Sequence, residues 1–231
     1  MPNFDLSIGL SGAYGAWLVA GFLLSIKLAL VTLAFALPLA AVVAVMRSAP
    51  LAPIRGAAIL YVECVRNVPL LAHMLFWYFG APEILPESLK QWLYARNVEA
   101  ASAVIALVLY TAAYMSEDIH GGVRSVPKEQ LEAGRALGLS FLSTMGHVVL
   151  PQSLRIAVPP LIGQTLNLWK NTSIAMVIGV AELMYQAQQV ESATFRGGEA
   201  FVLATLGYLS VSMLIALLSG WYQRSFPVRS T

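Results

Sequence analysis

Charge is scarce in this chain: Asp, Glu, Lys and Arg together make up 11% of its 231 residues. Cysteine is nearly absent too, and the single Cys64 excludes an intrachain disulfide and any cysteine-rich metal site. The three histidines, His73, His120 and His147, are scattered without ligand spacing, and no His-Glu-x-x-His occurs. They read as packing or interfacial residues rather than as metal ligands or catalysts. No Gly-x-x-x-x-Gly-Lys-Ser/Thr loop is present, so the chain has no means of cradling a nucleotide in the P-loop manner. The opening MPNFDLSIGL lacks the basic start of a secretory leader, and the apolar run after it is long enough to stay in a membrane. Repeats, low-complexity tracts and a separate polar domain are also missing, so residues 1–231 read as one transmembrane unit.

What is there is apolar. Hydrophobic residues are 58% of the chain and the mean hydropathy is +0.71, well outside the range of water-soluble domains. The expected fold is an all-α integral membrane bundle with about five spans, roughly 17–46, 60–80, 100–119, 156–179 and 200–222. Pro38 predicts a kink in the first span. Residues 51–66 mix Arg55, Glu63 and Arg66 with apolar side chains, which suits an interfacial helix, and Asn67-Val68-Pro69 breaks it. The stretches 80–99 and 182–199 read as connections on the face opposite residues 125–151. Five crossings put the termini on opposite sides. Arg47, Arg55, Arg66, Arg124, Lys128, Arg135, Arg155, Arg224 and Arg229 then share one side, against Lys90, Arg96 and Arg196 on the other. Nine to three places the amino terminus outside and the carboxyl terminus in the cytoplasm.

The segment 125–151, SVPKEQLEAGRALGLSFLSTMGHVVLP, is too polar to span and too patterned to be a loose loop. Ser125 is an N-cap candidate, Pro127 fits a first turn, and Gly138 is a left-handed stop. Ser140 then caps a second short helix, which Pro151 is expected to terminate. The result is a helical elbow on the cytoplasmic side. Ala-x-x-Leu-Gly-x-Ser within it has the look of a DNA-binding helix-turn-helix, but no Lys or Arg lies between Ala136 and Leu154 to meet phosphates. Nucleic acid is therefore excluded as a partner.

This elbow resembles the EAA loop of ABC-importer membrane subunits, with Glu132-Ala133-Gly134, Gly138 and Val148-Val149-Leu150-Pro151 at the motif's spacing. Gly134 stands where the motif has a second Ala, and Val148 where it has Ile. YVECVRNVPLL at 61–71 and PQSLRIAVPPLIGQTLNLWKNTSIAMVIGVAEL at 151–183 are similar to signatures of the polar amino-acid branch, the histidine/glutamine/glutamate type. Arg66-Asn67-Val68-Pro69-Leu70 and Asn167-Leu168-Trp169-Lys170-Asn171 look most like glutamate/aspartate permeases. The resemblance covers nearly the whole chain and implies a type I importer permease in a bacterial inner membrane. It further implies a partner ATPase that binds ATP and Mg, a second permease subunit, identical or paralogous, and a solute-binding protein. The chain itself would hold no cofactor and catalyse nothing. Glu132, Ala133, Gly134, Arg135, Gly138, Leu150 and Pro151 would form the contact with the ATPase.

Ionisable groups at membrane depth cost roughly 2.5–3.5 kcal/mol on insertion scales and are paired or face water. Glu63 and Arg66, three apart, are expected to satisfy each other. Lys170, Asn171, Thr172 and Ser173 form a donor-rich break in an apolar run. These six, with Asn67, Glu117 and Glu182, are the candidates for a solute path; Glu117 and Glu182 could equally be solvated near an interface. The polar residues could instead only join helices. Rival functions are import of glutamine, histidine or arginine, or a receptor or scaffold that moves nothing. The orientation gives a direct test: Arg135→Cys in a Cys64→Ser background should react with an impermeant maleimide only from the cytoplasmic side, and labelling from outside would reverse the topology.

Overall fold

The computed structural model describes residues 5–9, 12–94 and 97–227, and all the regular structure among them is helical. Arg96 and Arg229, used above to orient the chain, lie outside the described residues. A 3-10 turn, Leu6–Gly9, leads into α1, Gly12–Arg47, which runs unbroken through Pro38. It is followed by α2 (Ala52–Arg66), α3 (Leu70–Leu75), a π-helical turn (Phe76–Gly80), α4 (Ala81–Ile84) and α5 (Glu87–Tyr94). Then come α6 (Val98–Arg124), α7 (Lys128–Ala136), α8 (Phe141–Thr144), a second π turn (Met145–Val149) and α9 (Leu150–Asn171). A 3-10 stretch (Thr172–Ile178), α10 (Leu183–Thr194) and α11 (Gly197–Ser225) complete the chain.

Three helices, α1, α6 and α11, are long and apolar enough to cross a membrane. A fourth crossing is available if Ala52–Arg66 and Leu70–Ile84 are taken as one broken span, bent by 102°. The expected span 60–80 is thus not one straight helix. Pro69 forces its predecessor out of helical geometry and starts α3 afresh, so the axis turns at Asn67–Pro69. His73 ties the corner, its Nε2 lying 3.0 Å from the Val65 carbonyl. The expected span 156–179 is α9 with its 3-10 extension. Twenty-two helical residues rise about 33 Å, enough to cross. α9 falls short on apolarity because Gln152, Arg155, Gln164, Asn167, Lys170 and Asn171 interrupt it.

α1 is the axis of the bundle, and small residues make it so. Gly15, Leu18, Gly21, Ser25, Leu28, Thr32, Ala36 and Ala40 are buried at three- to four-residue spacing, one stripe along the whole helix. The facing side of α6 is small as well, with Ser102, Ala103, Ala106, Ala112, Ala113 and Ser116 buried. Without an apolar driving force between helices in lipid, such close backbone approach supplies the packing. Leu28, Leu70, Met74, Leu107, Leu168 and Ile178 fill the layer where α1, α3, α6 and α9 meet. Trp77 and Tyr78 pack against that layer.

The far end is closed by α10, which packs against α1 and α11. At Gly21 an added Cβ would sit 2.9 Å from Leu183 Cα and 3.0 Å from the Glu182 carbonyl carbon, so only glycine lets α1 touch the start of α10. Glu182 is fully buried there. Its Oε1 caps α10 by accepting from the Tyr185 amide at 2.9 Å, and its Oε2 accepts from Ser25 of α1 at 3.2 Å and from the Tyr208 hydroxyl of α11. Ser25 in turn accepts from the Leu183 amide at 3.1 Å, and Trp169 of α9 donates to the Tyr208 carbonyl at 2.9 Å. Glu182 is therefore neither solvated nor open to a solute; it joins three helices. Beyond it, on the short α4–α5 ledge, Lys90 donates to Glu83 at 2.9 Å, which holds its ammonium above the ordinary lysine value.

Glu182→Ala should lower stability by about 1–3 kcal/mol, since it removes a cap and strands two hydroxyls. Thermal melting in detergent checks this, with Tyr208→Phe expected to cost less.

Candidate functional site

Two places bring polar groups together, the elbow and a cavity between α6 and α9. At the elbow, α6 ends at Arg124 and Ser125 closes it, its hydroxyl donating to the Gly121 carbonyl at 2.8 Å. The N-cap of α7 is Pro127, so Ser125 caps the preceding helix rather than the following one. α7 ends on Gly138 at φ +82°, as a left-handed stop requires. The Gly138 amide donates to the Arg135 carbonyl at 2.9 Å and the Leu139 amide to that of Gly134 at 3.1 Å, the paired bonds of a Schellman ending. Ser140 caps α8, accepting from the Ser143 amide at 3.2 Å.

Gly134 is buried, and a Cβ there would collide with the Thr144 methyl group and lie 2.9 Å from its Oγ1. Its small size serves the chain's own fold, letting α7 and α8 close like a clasp. Glu132, Ala133, Arg135 and Gly138 stand on the open side, with Leu137 82% exposed at the tip. Pro151 does not stop the second helix. It sits in the first turn of α9, directly after the π turn Met145–Val149, and helical winding continues from Phe141 to Asn171. A proline lacks an amide and its ring crowds the carbonyl four residues back; the wider π turn, which ends two residues before Pro151, makes room for it. Leu150 and Pro151, both exposed, thus belong to the base of α9.

The cavity has a volume of about 410 Å³ and is lined by Tyr110, Thr111 and Tyr114 of α6 and by Gln164, Asn167, Leu168, Lys170 and Asn171 of α9. Of the sequence-derived path residues, Lys170 and Asn171 are in this lining. Thr172 is buried away from it, its hydroxyl donating to the Trp169 carbonyl at 2.8 Å, and the Ser173 hydroxyl donates to the Lys170 carbonyl at 2.8 Å. Asn67 ends α2, its side-chain amide donating to the Glu63 carbonyl at 2.7 Å and to Glu63 Oε2 at 3.2 Å. Glu63 is thus occupied by Asn67, and Arg66 turns elsewhere. Its guanidinium lies 5.0 Å from the Tyr114 ring centroid and pairs with Glu117 at 3.2 Å, while Glu117 also pairs with Arg47. The expected Glu63–Arg66 pair is replaced by an Arg47–Glu117–Arg66 knot joining α1, α2 and α6. The Glu117 carboxylate thus sits between two guanidiniums.

The knot sits beside the elbow end of the cavity, since Tyr114 donates to the Arg66 carbonyl at 3.4 Å. Tyr110, Thr111, Tyr114, Gln164 and Leu168 are lining residues that inspection of the motifs missed. Their signal is periodic: Gln164, Asn167, Lys170 and Asn171 recur at helical spacing, one polar face on α9, and Tyr110 and Tyr114 are one turn apart on α6.

Comparison with known proteins agrees with this architecture. A family model described as the binding-protein-dependent transport system inner membrane component matches residues 36–227. The glutamate/aspartate import permease protein GltJ of Escherichia coli K12 is 32% identical over 215 residues, 91% of this chain and 87% of the relative. The probable glutamine ABC transporter permease protein GlnM of Bacillus subtilis 168 is 36% identical over 197 residues, 85% of this chain and 87% of the relative. Among solved structures, an amino acid ABC transporter crystallised with histidines superposes with a TM-score of 0.81 at 26% identity, covering 92% of this chain and 95% of that one. The MetNI methionine transporter in an inward-facing form gives a TM-score of 0.75 at 16% identity over 94% and 99%, a likeness of fold. Together with the membrane-spanning helices and the clasped elbow, the match over residues 36–227 shows that the chain belongs to the family of binding-protein-dependent transport system inner membrane components.

Proposed function

We propose that this chain is the permease subunit of an ATP-driven importer of a polar amino acid, and that the α6–α9 cavity is its station for the solute. The observation that carries the reading is the cavity: a polar chamber bounded by Lys170, Asn167, Asn171, Gln164 and two tyrosines inside an apolar bundle. Lys170 has no ion-pair partner among the described residues. Its ammonium is exposed at the cavity and free to meet a solute's negative charge. A substrate carboxylate suits it, and glutamate or aspartate suits it best, in keeping with GltJ among the relatives. GlnM among them keeps glutamine as the second candidate.

The elbow is the proposed seat of the ATPase, with Glu132, Ala133, Arg135, Leu137 and Gly138 facing it and Gly134 holding the clasp shut. ATP and Mg stay on that partner, a second permease subunit completes the path, and a solute-binding protein delivers the amino acid from outside. The unbroken winding from α8 through α9 gives the coupling a material route. A push on the elbow moves the base of α9, and the same helix carries Gln164, Asn167 and Lys170 at its other end. Pro159 and Pro160 lie between, each removing one backbone hydrogen bond, which makes the middle of α9 its compliant point. ATP shifts the cavity from one side to the other only if the ATPase grips the elbow differently in its two nucleotide states.

In the reconstituted importer, Gly138→Val should cut ATP-dependent uptake roughly tenfold or more, because a branched residue at φ +82° strains the elbow by about 1–2 kcal/mol. Glu132→Ala should lower the stimulation of ATP hydrolysis by solute while the permease stays folded. Undiminished uptake in both variants would count against the elbow as the coupling point. Competition of labelled uptake by unlabelled glutamate, aspartate, glutamine and arginine ranks the substrates, and arginine winning would remove the acidic assignment.

A further inference from the structure

Gly121 and Gly122 stand side by side at the elbow end of α6, and only the second is tight. A Cβ added at Gly121 would meet nothing within 4 Å, whereas one at Gly122 would lie 2.8 Å from the Ser153 carbonyl oxygen and 2.9 Å from Ala157 Cβ, both on the base of α9. Gly122, Ser153 and Ala157 are all buried. Carbon atoms in contact sit about 3.5–4.0 Å apart, so an alanine at 122 would have to part the two helices by roughly 0.6 Å or more. No rotamer change offers relief, because the nearest atom is backbone. Ser153 turns its hydroxyl to its own helix, donating to the Val149 carbonyl at 2.8 Å, and the crossing is a contact of shape.

Its place in the chain gives this contact its weight. Residues 122 and 157 bracket α7, α8 and the π turn between α8 and α9. Gly134 and Thr144 already clasp the elbow on itself, and the Gly122 contact closes the loop at its neck, so that residues 122–157 form one body. Above the neck α9 is loosely held: none of residues 158–167 is buried, and close packing resumes at Leu168 and Trp169. Pro159 and Pro160, each of which removes a backbone hydrogen bond, begin two residues past Ala157. α9 is therefore fixed at two levels about 16 Å apart, with its compliant point directly above the lower one.

We propose that Gly122 is a positioning residue for coupling: having no side chain, it holds α6 and the base of α9 in backbone contact, so that the elbow and both helices entering it move as one body and the bending falls at Pro159 and Pro160. The inference rests on the ATP-driven import reading and adds to it the point that keeps motion of the elbow from being lost between two helices. Coupling between distant sites is carried by packed, rigid elements. If α6 and α9 slid past each other at the neck, a push on the elbow would be absorbed there. With the neck closed, the proline pair is the next softest place, and the displacement passes to the half of α9 that lines the cavity.

The test compares uptake per ATP hydrolysed in the reconstituted importer, permease with its ATPase and solute-binding protein, using labelled glutamate, glutamine, histidine or arginine, whichever the wild type takes up. Gly122→Ala should lower that ratio roughly tenfold, the scale of loss a sub-ångström misplacement produces, while ATP hydrolysis stays close to wild type. Gly121→Ala, one residue away in open space, should leave the ratio unchanged. A Gly122→Cys, Ala157→Cys pair in a Cys64→Ser background separates a clamp from ordinary packing. Its two Cβ positions, 2.9 Å apart, need open only to the about 3.8 Å of a disulfide. Reduced, the pair should be as poorly coupled as Gly122→Ala; oxidised, it should regain most of the wild-type ratio, because the bond restores rigidity without restoring the spacing. An unchanged ratio in Gly122→Ala, uptake and hydrolysis falling together in it, or an oxidised pair that transports no better than the reduced one would overturn the clamp and leave amino-acid import standing. A wild-type assembly that takes up none of the four amino acids under ATP would overturn the import reading as well.

Discussion

The constraint on which this structure depends is that a polar group inside a bilayer must find a partner within the protein. The bundle answers it in two ways. Glu182 is surrounded: an amide of its own helix, a serine of α1 and a tyrosine of α11 take its oxygens, and a carboxylate becomes the joint of three helices. Arg47, Glu117 and Arg66 answer it by charge, one carboxylate between two guanidiniums. Lys170 is answered by neither device: it is exposed, has no ion-pair partner among the described residues, and lines the α6–α9 chamber of about 410 Å³.

Small residues allow the rest. Gly21 admits the start of α10 to the side of α1, Gly122 brings α6 within 2.8 Å of the Ser153 carbonyl as a Cβ would see it, and Gly134 lets Thr144 close the elbow. The elbow, clasped on itself through Gly134 and Thr144, behaves as one body. The helix that leaves it does not end at Pro151 but continues to the cavity, so the elbow and the cavity share one piece of backbone.

Much of this was legible in the residues. Hydropathy alone identifies α1, α6 and α11, and Gly138 and Ser140 announce the corner between α7 and α8 by their chemistry. The motif spacing around Glu132 points to the permease family before any coordinates. What was not legible depends on non-local contacts. Ser125 has two helix ends within reach, and only packing decides that it closes α6. Pro151 reads as a stop because a local rule has no knowledge of a π turn that relieves the ring. Glu63 and Arg66 are neighbours on one helix, yet Glu117, fifty residues on, offers Arg66 a partner that already holds Arg47. Glu182 looks solvated because it falls just past the end of an expected span, at residue 179, while the fold carries it into the core. The lining of the cavity was half visible: Lys170 and Asn171 by their charge and polarity, Gln164 and Asn167 only once α9 is wound and one face is counted.

The central claim is that the α6–α9 cavity is a solute station whose access is governed from the elbow. It is tested most directly by following a cysteine at Asn171, in a Cys64→Ser background, with a small thiol reagent in the assembled importer. The cysteine should react from one side of the membrane without nucleotide and from the other with a non-hydrolysable ATP analogue, and a transported amino acid should protect it in both states. Reactivity from a single side regardless of nucleotide, with no protection by any transported amino acid, would contradict the account.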